Sequence, residues 1–414
     1  MTAVRTIGAS APAFFVIPLS MQRDGENFMI GNAELEEFYQ FPAQGVRIID
    51  LLRAGETSER IKRQLHDETG EDVDVDDFIE SLVEIGFIYP FDERGRFAER
   101  MAARPRDRRL SFAIDPALAR TLLSPATLVL YAALVGAAGY GMITRPELRL
   151  DPRALALEHD ITLTMIPLLL LYMGTVTLHE SAHILAAARH GVRSKLGIGN
   201  RLWSLVAEAD LSGILVLPKR QRYLPLLAGM MMDVLTVSLA TLAIAALLAR
   251  GMDGYPVQLL RALELQVVIT LTWQFNIFLR TDVYYALCTY LNHPDLDADA
   301  RRYLAAIAYR SSGGRFGRPA AAVDHHRMAL LRGFAAIWLV GRLMALALLV
   351  FVLIPTLLHY ILQAWRTFRD PATPTAVLLD QLGFLSISLT LFGSGMFLWL
   401  RRRLFRPRAV EART

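Results

Sequence analysis

Between Ile161 and Leu178 the chain runs through an apolar stretch with no charged residue, and five more stretches of similar character lie in residues 122–400. A segment of this kind is near the ~20-residue length a helix needs to cross a bilayer. In lipid every backbone polar group must be paired within the protein, which leaves helices or closed barrels. The runs are Leu122 to Ile143, Ile161 to Ala188, Leu224 to Leu248, Ala262 to Leu279, Gly333 to Leu362 and Leu382 to Leu400. Pro355 falls inside the fifth, the longest, and predicts a tilt or kink there. The composition, 53% hydrophobic yet 20% charged, requires the charges to gather in segments outside the lipid. The expected fold is an all-α polytopic membrane protein of about six transmembrane helices, preceded by a small α+β domain.

The second run ends in His179-Glu180-Ser181-Ala182-His183. Helical spacing puts His179 and His183 on one face, where both can bind one metal ion. Glu180 lies beside them and can take a proton from a water that the ion polarises. Ionisable residues in a membrane segment are costly and mark function by default. One cysteine, Cys288, excludes a multi-cysteine metal site and an internal disulfide framework, so the remaining ligands come from His, Asp and Glu. A catalytic zinc site commonly has three protein ligands and one open position. Asp282, at the end of the fourth run, is the candidate third ligand. His190, His325 and His326 read as solvated loop residues. Asp233 in the third run and Arg342 in the fifth lie at matching depth, and an ion pair between them is expected.

Positive charge sets the orientation. Arg189, Arg193, Lys195, Arg201, Lys219, Arg220 and Arg222 lie between the second and third runs. Arg301, Arg302, Arg310, Arg315, Arg318 and Arg327 lie between the fourth and fifth, and Arg401, Arg402, Arg403, Arg406 and Arg408 follow the sixth. These positions share a side with the N-terminal segment, which predicts an integral membrane protein with both termini in the cytoplasm. The net charge of +4 follows from these arginines and does not indicate nucleic-acid binding.

Residues 1–92 read as a small cytoplasmic domain, 93–120 as a basic linker at the membrane surface, and 121–408 as the membrane domain. Ala11 to Leu19 is apolar but broken by Pro12 and Pro18, and reads as a strand rather than a signal peptide. Phe14 to Ser20 and Asn27 to Phe41 carry strand-like runs. Three helices follow: Ala43 to Ala54 presenting Val46, Ile49 and Leu52, Thr57 to Thr69 presenting Ile61 and Leu65, and Asp76 to Ile85 presenting Phe78, Leu82 and Ile85. These narrow faces suit a winged-helix-sized core.

Two resemblances arise from these residues. His179-Glu180-x-x-His183, followed by Asn276-Ile277-Phe278-Leu279-Arg280-Thr281-Asp282-Val283-Tyr284-Tyr285, resembles the site-2-protease family of membrane zinc metallopeptidases. That family pairs H-E-x-x-H with N-P-x-x-x-x-D-G, and the segment is closest to the N-P-L-L-x-x-D-G-Y-Y variant of bacterial peptide zinc metalloproteases. Ile277 stands where the family has Pro, and Val283 where it has Gly. The resemblance implies that His179, His183 and Asp282 bind Zn2+, that Glu180 is the general base and that Asn276 helps hold the substrate backbone. It also implies that Leu196 to Leu217, with Gly197, Gly199 and Gly213, forms a hairpin in the membrane whose edge strand receives the substrate. A plain amphipathic cytoplasmic loop is the other reading of that segment.

Phe38 to Ile88, with the turn Leu51-Leu52-x-x-Gly55-x-Thr57 and the close Gly86-Phe87-Ile88, resembles PqqD-like leader-peptide recognition domains. That implies binding of a ribosomally made precursor peptide, its leader adding a strand to the domain's sheet. The acidic residues Glu56, Glu59, Glu68, Glu71, Asp72, Asp74, Asp76 and Asp77 argue against DNA as partner. The expected activity is zinc-dependent cleavage of a precursor peptide, removing its leader during maturation or export. The alternatives are regulated cleavage of a membrane-anchored signalling protein, and a catalytically silent leader-binding or export partner. Nothing in the sequence specifies an oligomeric state.

Overall fold

The computed structural model describes residues 13–24, 27–32, 35, 37–103, 110–112, 114–155, 161–201, 204–293, 295–316, 328–370 and 373–404. Ala11, Pro12, Arg318, His325, His326, Arg327, Arg406 and Arg408 lie outside the described residues. The chain divides into two compact units, Met1–Arg109 with Asp210–Arg222, and Leu110–Ala209 with Tyr223–Thr414.

The first unit starts with β1 (Phe14–Val16), β2 (Ser20–Asp24), β3 (Asn27–Asn32) and β4 (Glu37–Pro42). β2, β3 and β4 form an antiparallel meander, with Met21 opposite Ile30 and Ile30 opposite Tyr39. The Asn32 side chain makes the β3–β4 connection, accepting the Leu35 amide at 2.9 Å and donating to the Pro18 carbonyl at 2.7 Å. Helices α1 (Ala43–Arg53), α2 (Ser58–Thr69) and α3 (Val75–Glu84) follow within a residue or two of the expected bounds. The left-handed Gly70 (φ 72°) stops α2, and the Asp74 carboxylate caps α3 by accepting the Asp77 amide. β5 (Ile88–Pro90) pairs antiparallel with β1. Ile17, Ile30, Ile48, Ile49, Ile61, Leu65, Leu82 and Phe87 make one buried core, each side chain contributing about 1.5–3 kcal/mol by burial.

The arginine-dense stretch after residue 92 departs from the linker expected there. Helix α4 (Gly95–Ala103) packs Phe97 and Met101 onto that core. Its Arg100 guanidinium donates to both Glu37 carboxylate oxygens at 2.9 Å. The one-turn helix Ser212–Val216 packs on β2 and β3 of the same unit.

The second unit is mostly helical. β6 (Leu110–Phe112) and α5 (Pro116–Leu122) lead into α6 (Pro125–Thr144), capped by Ser124 with Pro125 at its first position. Helix α7 (Ile161–Ala188) carries the histidine motif near its C-terminal end. β7 (Ser194–Arg201) and β8 (Ser204–Asp210) follow in a sheet of order β6-β7-β8. Next come α8 (Lys219–Ala249), α9 (Tyr255–Trp273), α10 (Asp282–Leu291), α11 (Leu296–Ser311), α12 (Met328–Leu348), α13 (Ile354–Arg369) and α14 (Thr375–Leu404). A π-helical turn, Leu349–Leu353, joins α12 to α13 just before Pro355. Proline has no amide hydrogen and its ring crowds the preceding turn, which that wider turn relieves.

Among the described residues four helical segments are long and apolar enough to cross a membrane: Pro116–Thr144, Lys219–Ala249, Met328–Arg369 and Thr375–Arg401. They display apolar side chains such as Val129, Leu130 and Phe351, a surface suited to lipid rather than water. The remaining two expected crossings are the two that deliver the metal-site segments. α7 has the expected bounds. The helix of the fourth expected run begins at Tyr255 and stops at Trp273, short of Leu279.

A candidate metal centre between three helices

Helices α7 and α8 meet through small residues. Ala182, Ala186 and Ala228 are buried together with Leu224 and Met232 around them, and side chains this short let two helices approach closely. That approach brings the motif face of α7 against α8. His179 and His183 are 6% and 2% exposed.

The third donor arrives through a break in the chain after α9. The Gln274 carbonyl accepts from the Thr281 hydroxyl at 2.6 Å, and the Gln274 side-chain oxygen accepts the Asp282 amide at 3.3 Å. Between them lie a 3-10 turn, Ile277–Leu279, and Arg280 in the left-handed region at φ 58°. Phe278 and Leu279 are buried. The segment therefore unwinds without a proline or glycine at positions 277 and 283. Gln274, Thr281 and the φ of Arg280 do the work instead, and Arg280 ion-pairs with Asp295 at 3.4 Å. Asp282 then opens α10 and points to the histidines.

The Nε2 atoms of His179 and His183 lie 3.2 Å apart. One Asp282 carboxylate oxygen lies 3.1 Å from His179 Nε2 and 3.3 Å from His183 Nε2. Ligands held at about 2.0–2.1 Å in a tetrahedron sit about 3.3 Å from one another, so the three donors have the mutual spacing of a shared zinc ion. Among the described residues they form the one cluster of His, Cys, Asp or Glu able to hold a metal.

The other ring nitrogens settle which atoms face inward. His183 Nδ1 lies 2.7 Å from the Pro225 carbonyl, which only accepts, so Nδ1 carries a hydrogen and the neutral ring presents its lone pair at Nε2. His179 Nδ1 lies 2.9 Å from the Asp233 carboxylate, which imposes the same tautomer. Two imidazole lone pairs and a carboxylate oxygen thus converge on one point, an arrangement that a cation satisfies.

Space for that cation comes from Gly229. A Cβ built there would stand 2.4 Å from both Nε2 atoms, closer than a carbon can approach a ring nitrogen. The donor set, the spacing and this gap fit Zn2+. Glu180, one residue from the first ligand, accepts the amide of Ala209 on β8 at 2.6 Å. Asn276 stays outside the cluster, its amide donating to the Trp273 carbonyl at 3.0 Å.

One expected contact is corrected. Arg342 is the partner the sequence suggests for Asp233, but among the described residues Asp233 pairs with His179, while the Arg342 guanidinium lies 5.1 Å from the centre of the Trp338 ring. Equal depth along two helices does not specify which faces meet. Pro225, Gly229 and Gln274 also escape a motif-based reading. Pro225, Gly229 and Asp233 recur every four residues along α8, one helical stripe, and that spacing is the signal that could have found them.

Comparisons of the chain with protein-family models, curated proteins and solved structures find no match.

Proposed function

We propose that this chain is a zinc metallopeptidase that works within a bilayer, on a ribosomally made precursor peptide whose leader it removes. The observation that carries this reading is the convergence of His179, His183 and Asp282 on one point, with Glu180 on the adjoining residue. In it the chain crosses the membrane six times, with α7 and α9 added to the four apolar helical segments and both termini in the cytoplasm. Bound zinc would polarise a water molecule and a peptide carbonyl. Glu180 takes the proton of the attacking water and delivers it to the leaving amine. Asn276 holds the backbone of the substrate, and the edge of β8, which has no second strand partner among the described residues, pairs with it as an extended strand.

Three features support a peptide as substrate. Hydrolysis needs an extended backbone, and a strand edge next to Glu180 offers one. The first unit is a three-stranded sheet followed by three helices, with a sheet edge of its own. Its helices carry mixed charge rather than a basic face. A winged-helix-like, leader-binding role for this unit raises the local concentration of the scissile bond near the site.

The test is incubation of the detergent-purified full chain with candidate precursor peptides, read by mass spectrometry. We expect a single cut, lost with chelator and restored by zinc. Glu180→Gln should abolish cleavage while keeping the metal. Cleavage of membrane-anchored proteins alone would favour the signalling role, and wild-type cleavage by Glu180→Gln would refute catalysis by this residue.

A further inference from the structure

The stripe Pro225, Gly229, Asp233 on α8 touches the metal cluster at three successive turns, and none of the three is a ligand. Pro225 offers a carbonyl to His183 Nδ1, Gly229 offers a gap beside both Nε2 atoms, and Asp233 offers a carboxylate to His179 Nδ1. Asp233 is 3% exposed. A carboxylate in such a place is costly to bury and is retained where it is hydrogen-bonded for a purpose. Its one ion-pair partner among the described residues is a metal-facing imidazole.

We propose that Asp233 is a positioning residue for the metal. It fixes His179 as the Nδ1–H tautomer, locks the ring's rotation, and raises the basicity of the nitrogen that faces the ion. Outer partners of this kind act on metal affinity through the ligand they hold. The asymmetry with His183 is informative. A neutral carbonyl orients His183, whereas an anion orients His179, so His179 is the stronger donor of the pair. Asp233 also offsets part of the cation's charge inside the membrane, leaving the Asp282 carboxylate to face the ion. This inference rests on the metal reading given above, and it adds a residue that the motif does not contain.

The test uses the full chain in detergent, stripped with chelator and titrated with Zn2+ against a competing indicator, and in parallel with Co2+ for its visible absorption. Asp233→Leu should weaken Zn2+ binding by about 100-fold and Asp233→Asn, which keeps an acceptor for Nδ1–H, by about 10-fold. The cobalt bands should shift in both. Thermal unfolding of the metal-free protein keeps the inference falsifiable if one variant is poorly folded. A structural role predicts that metal-free stability falls while the affinity of the folded fraction stays at the wild-type value. That result, or unchanged cobalt bands in Asp233→Asn, would overturn the proposal while leaving the metal site in place. If the wild-type chain takes up neither Zn2+ nor Co2+, the metal reading itself fails and this inference falls with it.

Discussion

Replacing Gly229 with alanine should abolish metal binding at the proposed centre without unfolding the protein. The added methyl carbon would stand 2.4 Å from His179 Nε2, 2.4 Å from His183 Nε2 and 2.6 Å from His179 Cδ2. An ordinary carbon–nitrogen contact needs about 3.4 Å, so the rings must retreat by about 1 Å. Zinc ligands hold their distances to about 0.2 Å, so that retreat breaks the shared site. Both rings are tethered at Nδ1 by α8 itself, and neither is free to swing aside. We expect Zn2+ affinity to fall by at least about 100-fold. The fold should tolerate the change. Alanine improves helix propensity over glycine by about 1 kcal/mol, and overpacking costs about 1–3 kcal/mol. The net loss is therefore about 0–2 kcal/mol, within reach of the usual stability margin. The assay is metal content and zinc titration of the detergent-purified chain, beside its melting curve. Gly174→Ala is the control, since that position lies on the same helix as the histidines and has open space around it. Wild-type zinc affinity in Gly229→Ala would refute the geometry on which the site rests.

Further tests follow from the same contacts. Gly341→Ala would push a Cβ to 2.3 Å from the Phe278 ring, displacing the turn that aims Asp282; zinc affinity should fall about 10-fold with every ligand intact, and no change would show that the turn is not held from α12. In the first unit Lys62 and Ser58 hold the Asp76 carboxyl below its ordinary pKa. A depressed carboxylate stabilises the fold above its unfolded pKa and loses that contribution as pH falls through the folded value. Protection factors of the α2 and α3 amides in the full chain, corrected for the pH dependence of intrinsic exchange, should therefore fall below about pH 4, and the fall should be smaller in Asp76→Asn; an equal fall in both would remove Asp76 from the account. Ile61→Ala, at a fully buried position, should destabilise the first unit by about 2–5 kcal/mol while zinc binding persists, and loss of both together would contradict that expectation.

Much of this arrangement is written locally. Helices α1 to α3 were legible because Ile49, Leu52, Ile61, Leu65 and Leu82 repeat at helical spacing and Gly55 and Gly86 follow the first and third. The histidine motif was legible for the same reason, since both candidate ligands lie on one helix. Asp282 needed more, because its place depends on a backbone break that Gln274 and Thr281 tie from a distance. The partner of Asp233 was misread because depth along a helix carries no azimuth, and only packing through Ala182 and Ala228 decides which face of α8 meets α7. Gly95–Ala103 was hidden by its arginines, although Phe97 and Met101, four apart, already mark an apolar stripe. The end of α9 at Trp273 was likewise invisible to hydropathy, since Phe275, Ile277, Phe278 and Leu279 continue the apolar run after the helix has stopped.

The central claim is a zinc ion held by two imidazoles and one carboxylate. X-ray absorption at the zinc edge of the metal-loaded full chain measures that shell directly. The account predicts a four-coordinate ion with light ligands at about 2.0–2.2 Å, scattering from two imidazole rings, and a shell that changes in Asp282→Ala. A shell of oxygen alone without imidazole scattering, or a spectrum identical in Asp282→Ala, would contradict it.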